Sequence, residues 1–115
     1  MQKIKVTIAE GIEQLKKESE KKFTVLMQHG SMSVEYYAPE KIDLQTPHKQ
    51  DELYVIANGS GTFYRNGLAS GERVSCEKGD VLFVAAGVEH RFENFTDDFA
   101  TWVIFYGADG GESTQ

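Results

Sequence analysis

The chain has 115 residues, a length that fits one domain, and its 12 Lys and Arg against 18 Asp and Glu give a net charge of −6. Hydrophobic residues make up 40% and charged residues 26%, proportions typical of a globular protein and not of a disordered one. No apolar run approaches the ~20 residues that cross a bilayer, and the charge pattern does not resemble a phosphate-binding face. We therefore expect no membrane and no nucleic acid among its partners.

The N-terminus lacks the apolar segment and cleavage site of a signal peptide, so a cytoplasmic location is expected. Cys76 is the only cysteine, which agrees with a reducing compartment because no internal disulfide can form. Its position in an apolar strand pattern favours a small buried side chain over a reactive thiol.

The sequence shows no repeat and no linker, so we expect a single domain over residues 1–115. Within it, residues 1–22 form an N-terminal extension, residues 23–107 a barrel, and residues 108–115 a flexible Gly-rich tail.

A short helix is predicted in the N-terminal extension. Thr7 and Glu10 have the spacing of a capping box, and Ile8, Ile12 and Leu15 fall on one helical face. Lysines follow at the C-terminal end, where positive charge suits the helix dipole, and we interpret them as a solvated face.

The pattern then changes to short strands separated by turns. The predicted strands cover residues 23–28, 31–38, 51–57, 61–65, 73–77, 80–85, 90–95 and 99–106. The pair Asn66-Gly67 indicates a tight hairpin turn between two of them. Strands at this spacing predict an all-β sandwich or closed barrel.

Two segments carry residues that suit metal binding. In residues 46–59, strand alternation places His48, Gln50 and Glu52 on one side. If that side faces the barrel interior, burying an imidazole with a carboxylate is costly unless a cation pairs with them.

The second segment covers residues 79–94, in which His90 opens a strand. Together with the first segment it gives two histidines and one carboxylate, a ligand set that leaves metal positions open for water, substrate or dioxygen. Taken singly, each residue has a plainer interpretation: His48 as a loop residue, His90 as a structural histidine, and Glu52 as a solvated charge. The metal hypothesis therefore depends on their joint spacing.

That spacing resembles the two-part signature of the cupin superfamily. The second half of its first motif, H-(X)3,4-E-(X)6-G, is similar to His48, Glu52 and Gly59. The second motif, G-(X)5-P-X-G-(X)2-H-(X)3-N, is matched at every interval, and the matching residues are Gly79, Gly87, His90 and Asn94. The resemblance looks closest to small single-domain cupins and implies a double-stranded β-helix, or jelly-roll barrel, preceded by the short helix.

The chain also departs from that signature. The first histidine of the first motif falls on Thr46, its glycine falls on Glu40, and the proline of the second motif falls on Ala85. The resemblance implies a metal held by three histidines and one glutamate, of which this chain supplies His48, Glu52 and His90. Either Gln50 or water is then expected at the remaining position.

Pocket residues follow from the same alternation. Tyr54 and Ile56 continue the face of Glu52, and Phe92 continues that of His90. On the last strand the pattern does not say whether Thr101, Val103 and Phe105 or Trp102, Ile104 and Tyr106 face inward. We take Trp102 and Ile104 as pocket candidates, which gives a mostly apolar and aromatic pocket.

These features predict a cupin that holds one divalent ion (Fe, Ni, Zn or Mn) and acts on a small, mostly apolar substrate, with dioxygenase chemistry as the first hypothesis. A metal-dependent isomerase or lyase is the second, although the sequence offers no clear base for it. A non-catalytic binding module is the third. We also expect a homodimer, in which the N-terminal extension packs on the partner and covers exposed strand edges.

Overall fold

The structure, a computed structural model, describes residues 3–18, 21–67 and 71–113. Its elements are α1 (Ile8–Lys17), β1 (Phe23–His29), β2 (Met32–Tyr37), β3 (Asp51–Asn58), β4 (Ser60–Asn66), β5 (Gly71–Glu77), β6 (Val81–Val84), β7 (His90–Glu93) and β8 (Ala100–Tyr106). Each strand overlaps one predicted from the sequence, so the all-β prediction is confirmed.

The strands form two antiparallel sheets. One has the order β1-β2-β8-β3-β6 and the other the order β5-β4-β7. Apolar and aromatic side chains from both sheets make the main core, which contains Tyr54, Ile56, Phe63, Cys76, Val84, Phe92, Phe99 and Val103. This is the jelly-roll barrel that the sequence predicts, and Cys76 is the small buried side chain that was expected.

Helix α1 begins with the predicted capping box. The Glu10 amide donates to the Thr7 hydroxyl oxygen and the Thr7 amide donates to the Glu10 carboxylate. The helix packs on β1 and β2 of its own chain, with Gly11 buried against the ring of Tyr36. Ile12 of the helix and Ile4 before it stay exposed, so the packing of this extension on a partner, like the homodimer, stays a prediction.

Strand β8 presents alternate residues to the two faces of its sheet. Val103 and Phe105 lie opposite Tyr54 and Glu52 of β3 on the inner face. Trp102 lies on the outer face, where it packs edge-on against a tyrosine beneath α1, and Ile104 shares that face by alternation. The choice of Trp102 and Ile104 as pocket residues was wrong, since the helix covers an apolar outer face that the pattern could not distinguish from the inner one.

One connection differs from its prediction. Asn66 pairs with Gly71 across the β4–β5 hairpin, so residues 67–70 connect the strands in place of a two-residue turn, and residues 68–70 lie outside the described part. The tail is tied back as far as Glu112, whose amide donates to the Asp51 carboxylate. The flexibility expected of residues 108–115 stays a prediction, and residues 114–115 lie outside the described part.

Candidate metal centre

Three side chains meet inside the barrel. One carboxylate oxygen of Glu52, Oε1, lies 2.9 Å from His48 Nδ1 and 3.0 Å from His90 Nε2. One ligand atom from each residue lies within 4.8 Å of the other two. Glu52 and His90 are each about 1% exposed, whereas His48 is partly open to solvent. The three residues singled out by the sequence are therefore brought together.

Different elements place these residues. Glu52 comes from β3 in the five-stranded sheet, and His90 begins β7 in the three-stranded sheet. His48 precedes β3 in an irregular segment, and its carbonyl oxygen accepts a hydrogen bond from the Gly87 amide at 2.8 Å. The cluster thus joins both sheets and the two loops that carry the motifs.

The hydrogen bond that His90 makes through Nδ1 determines whether its other ring nitrogen, Nε2, carries a proton or a lone pair. Nδ1 lies 2.8 Å from the Val88 carbonyl oxygen, which can only accept, so Nδ1 carries a proton. In the neutral ring, Nε2 then presents a lone pair to Glu52. Within the described residues, Nε2 and the second oxygen of Glu52, Oε2, are buried without a hydrogen-bond partner. Nε2 and the oxygen that faces it, Oε1, are both acceptors, so they need a cation between them, either a proton or a metal ion.

The titration behaviour agrees with this need. Burial by itself raises the pKa of Glu52, but His48 and His90 outweigh it and lower the pKa of this carboxyl overall. Burial lowers the pKa of His90, but the close contact with the negatively charged Glu52 carboxylate and the hydrogen bond to Val88 more than offset it and raise the pKa. The pocket therefore stabilises a positive charge beside Glu52.

The spacing fits a divalent ion in place of that proton. Ligand atoms about 2.1 Å from one ion and at right angles to each other lie about 3.0 Å apart, close to the two observed separations from Glu52. Two imidazoles and one carboxylate also suit iron, nickel, zinc and manganese. Thr46 lines the same cleft as His48 and supplies no imidazole to the cluster.

Gln50 does not behave as predicted. Its amide nitrogen donates to the carbonyl oxygens of Ser31 and Gly107, at 2.8 and 2.9 Å. Strand β3 begins at Asp51, so the alternation used to place Gln50 beside Glu52 does not extend back to it. Gln50 holds two chain segments together, and its assignment as an additional ligand is corrected.

A cleft of about 870 Å³ opens beside the cluster. It is lined by Lys21, Lys22, Phe23, Glu35, Tyr37, Glu40, Lys41, Ile42, Leu44, Gln45, Thr46, His48, Val103 and Phe105. Of the predicted pocket residues, Tyr54, Ile56 and Phe92 are fully buried behind this wall as core. The segment between β2 and β3 supplies much of the lining. Its residues follow neither helix nor strand alternation, so the sequence did not predict that they line a cleft.

Sequence reasoning missed Glu35 of β2. It lines the cleft, and burial raises its pKa, with His48 lowering it and Glu52 raising it to smaller extents. No hydrogen bond or ion pair holds its carboxyl within residues 3–18, 21–67 and 71–113. Strand alternation, which separates Glu35 and Tyr37 from the apolar face of β2, was the signal that could have found it.

The chain belongs to the cupin domain family, whose model matches residues 33–106. The match covers every strand except β1 and includes all three residues of the cluster. The helix found in the described part, α1, is too short to span a membrane.

Among curated proteins, the chain is similar to an uncharacterized protein of Streptomyces coelicolor, with 36% identity over 65% of this chain and 70% of the relative. It is also similar to the acireductone dioxygenase of Saccharopolyspora erythraea, with 39% identity over 64% of this chain and 39% of the relative. The same enzyme from Frankia alni is 38% identical over 55% of this chain and 31% of its own length. The matched segment thus spans 39% and 31% of the two dioxygenases, well under half of either.

Solved structures agree on the fold. A cupin conserved barrel protein of Salinispora arenicola has a TM-score of 0.61 at 18% identity, over 75% of each chain. A cupin domain of Bordetella pertussis has a TM-score of 0.58 at 19% identity, over 75% of this chain and 92% of that one. At these identities the likeness concerns the fold alone.

Proposed function

We propose that this protein is a metal-dependent enzyme of the dioxygenase type, with one divalent ion held by His48, Glu52 and His90. The observation that carries the proposal is the buried lone pair of His90 Nε2 facing the Glu52 carboxylate, which needs a cation. When bound, such an ion supplies open positions at which an oxygen-bearing substrate and dioxygen can react. The acireductone dioxygenase relatives support this chemistry over part of their length.

The cleft supports a small, mostly apolar organic substrate. Val103 and Phe105 form its inner wall, and the Phe105 ring lies 5.0 Å from that of His48. Phe23, Ile42 and Leu44 continue the apolar lining outward. These side chains exclude water from a bound substrate and hold its apolar part beside the cluster.

Glu35 favours a second candidate, a metal-dependent isomerase or lyase. That chemistry needs an acid–base group apart from the metal ligands, and Glu35 is a carboxyl without a hydrogen-bond partner in the described chain, in the same cleft. A non-catalytic binding module is the third candidate and would need no metal.

Metal content is the first test. Untagged protein is analysed for Fe, Ni, Zn and Mn, and each ion is titrated into metal-free protein. One ion per chain is expected, and Glu52→Gln should weaken its binding at least about a hundredfold, because it removes the only charged ligand while keeping the side-chain size. Glu77→Gln on the exposed face of β5 is the matched control. A wild-type protein that takes up no ion would leave the binding module as the remaining candidate.

Oxygen consumption separates the two enzyme candidates. It is measured for the metal-loaded protein with small phenols, diketones, enediols and thiols. Thr46→His adds an imidazole where the cupin signature has one, so it should tighten metal binding and slow oxygen-dependent turnover by closing a position. Thr46→Asn controls for the change of side chain. Tight metal binding without oxygen consumption on any substrate would favour the isomerase or lyase.

A further inference from the structure

The mouth of the cleft is positive although the chain is negative overall. Three lysines and two glutamates line the cleft, whereas the whole chain carries a net charge of −6. Lys22 is paired with Glu40 at 2.8 Å, and Lys21 with Glu18 at 3.7 Å. The third, Lys41, has no ion pair in the part of the chain that the structure describes. Its charge interacts electrostatically with the neighbouring Glu40, but that carboxylate is already bonded to Lys22.

Lys41 also has an uncommon backbone conformation. Its φ is 61°, and the Ile42 amide donates across it to the Glu40 carbonyl oxygen. A three-residue turn with positive φ is rare and strained for a residue with a side chain. Such strain persists only where the surroundings enforce it, and it is concentrated at sites that clamp ligands.

The chain after this turn is held firmly. The buried Asp43 carboxylate accepts hydrogen bonds from the Tyr37 hydroxyl, the Phe92 amide, and the backbone and side-chain amides of Gln45. On the other side, Glu40 pairs with Lys22 in an exposed contact that adds little. The backbone of Lys41 is therefore held mainly through Asp43, and its exposed side chain is available to a ligand.

The two ends of the cleft differ in character. Glu35 lines the cleft near the cluster and interacts electrostatically with His48 and Glu52, whereas Lys41 lines it with the exposed Ile42 and Leu44. The lining also includes the apolar side chains of Phe23, Val103 and Phe105. A ligand that matches this distribution has an apolar body and a single anionic group directed outward.

We propose that the substrate is a small organic acid whose carboxylate binds Lys41 at the mouth while its apolar body lies along the cleft toward the cluster. The assignment rests on the proposed function in one respect: the opposite end of the molecule is the part that reacts beside His48, Glu52 and His90. Lys41 is then a residue that selects the substrate and takes no part in the chemistry.

The test uses matched pairs of probes that differ only in the charged group. Binding of 3-phenylpropionate and hexanoate is compared with that of 3-phenylpropan-1-ol and hexan-1-ol by calorimetry and by chemical-shift changes of Leu44 and Phe105. Wild type should prefer each acid by about tenfold, the factor of one charge-assisted hydrogen bond. The preference should fall as salt is raised.

Three variants locate the origin of the preference. Lys41→Met should abolish it and leave alcohol binding unchanged, and Lys41→Arg should keep it. Lys41→Gly should abolish it and also raise the melting temperature, because glycine adopts positive φ without strain. Lys78→Met, at an exposed turn outside the cleft, makes the same change in net charge and should keep the preference.

The outcomes separate this inference from the proposed function. If wild type binds neither acid at millimolar concentration, or if Lys41→Met keeps the preference, the organic-acid assignment is overturned. Metal uptake and oxygen consumption would be untouched by that result. A protein that prefers the acids but takes up no metal supports the role of Lys41 and removes the proposed enzyme.

Discussion

The Nδ1 atom of His90 lies 2.8 Å from the carbonyl oxygen of Val88, two residues earlier in the chain. Because that carbonyl can only accept, the bond fixes the tautomer and directs the unprotonated nitrogen at Glu52. Metal-binding histidines usually have such an orienting partner. The local turn before β7 thus orients His90 as the proposed ligand requires.

Replacement of His90 tests its role as a metal ligand. We expect His90→Ala to weaken zinc or nickel binding at least about a hundredfold, because it removes a ligand. Removing a residue that only orients a ligand weakens metal binding less. Isothermal titration of metal-free protein measures it, with His29→Ala as the control, since His29 lies outside the cluster. Equal affinities for the two variants would exclude His90 as a ligand.

Metal binding should also stabilise the fold, because the three proposed ligands come from one strand of each sheet and from the segment before β3 and meet only in the folded chain. An ion at about 100 times its dissociation constant adds about 2.7 kcal/mol to the free energy of unfolding, or about 10–20 °C in Tm for a domain of this size. A chelator should reverse the gain. Thermal unfolding with and without nickel measures it, and Glu52→Gln should show no gain.

Much of the fold could be predicted from local pattern. Helix α1 follows from the spacing of Thr7 and Glu10, and β2 and β8 follow from alternation and from β-branched and aromatic residues. The cluster followed from the joint spacing of the two motifs. The helix and the strands depend on residues close in sequence, whose geometry local structure fixes, whereas the cluster depended on the resemblance of two separate motifs to the cupin signature.

Features that depend on tertiary packing could not be predicted. Trp102 was assigned to the wrong face because α1 makes the outer face of its sheet as apolar as the inner one. Gln50 was placed as a ligand because the alternation of a strand was applied to residues that precede β3. Asp43 gave no signal, since its partners Tyr37 and Phe92 become neighbours only after the sheets close.

The pH dependence of stability should report on Glu35. Burial raises its pKa above the usual 4.5, so the folded protein holds this proton more tightly than the unfolded chain. Glu35 therefore contributes to the free energy of unfolding at low pH. This contribution is lost as the pH rises from the pKa of Glu35 in the unfolded chain through its pKa in the folded protein. We expect Glu35→Gln to raise the Tm of metal-free protein by a few degrees at pH 7–8, with the gain vanishing near pH 4.

Glu77→Gln, on an exposed position of β5, makes the same chemical change outside the cleft. It should shift the Tm little at either pH. A Glu35→Gln protein that is less stable than wild type at neutral pH would mean that the carboxylate has a stabilising partner and that burial does not dominate its titration.

Gly11 tests how closely α1 packs on the sheet. Glycine-to-alanine exchange in an exposed helix gains about 1 kcal/mol. Here a Cβ atom would lie 2.6 Å from Cγ of Tyr36, so we expect Gly11→Ala to destabilise the protein by about 1–3 kcal/mol. Chemical denaturation measures it, and Ala9→Gly on the exposed side of the helix gives the propensity term alone. A gain in stability for Gly11→Ala would show that the helix lies farther from the sheet.

Asp43 tests whether the segment between β2 and β3 is a fixed wall of the site. Both carboxylate oxygens of Asp43 accept hydrogen bonds from N–H groups. In Asp43→Asn, an amide NH₂ replaces one of these oxygens and faces at least one N–H group, and the negative charge is lost. We expect a loss of about 2–3 kcal/mol in the free energy of unfolding, with Asp97→Asn at an exposed turn as the control.

The same variant should weaken metal binding several-fold although Asp43 is no ligand, because His48 follows it on the same segment and would lose its fixed position. Calorimetric titration with nickel, made well below the melting temperature of the variant, separates this effect from unfolding. Wild-type metal affinity in a destabilised Asp43→Asn protein would show that the contacts of His48 with Glu52 and Gly87 position it without help from the rest of the segment.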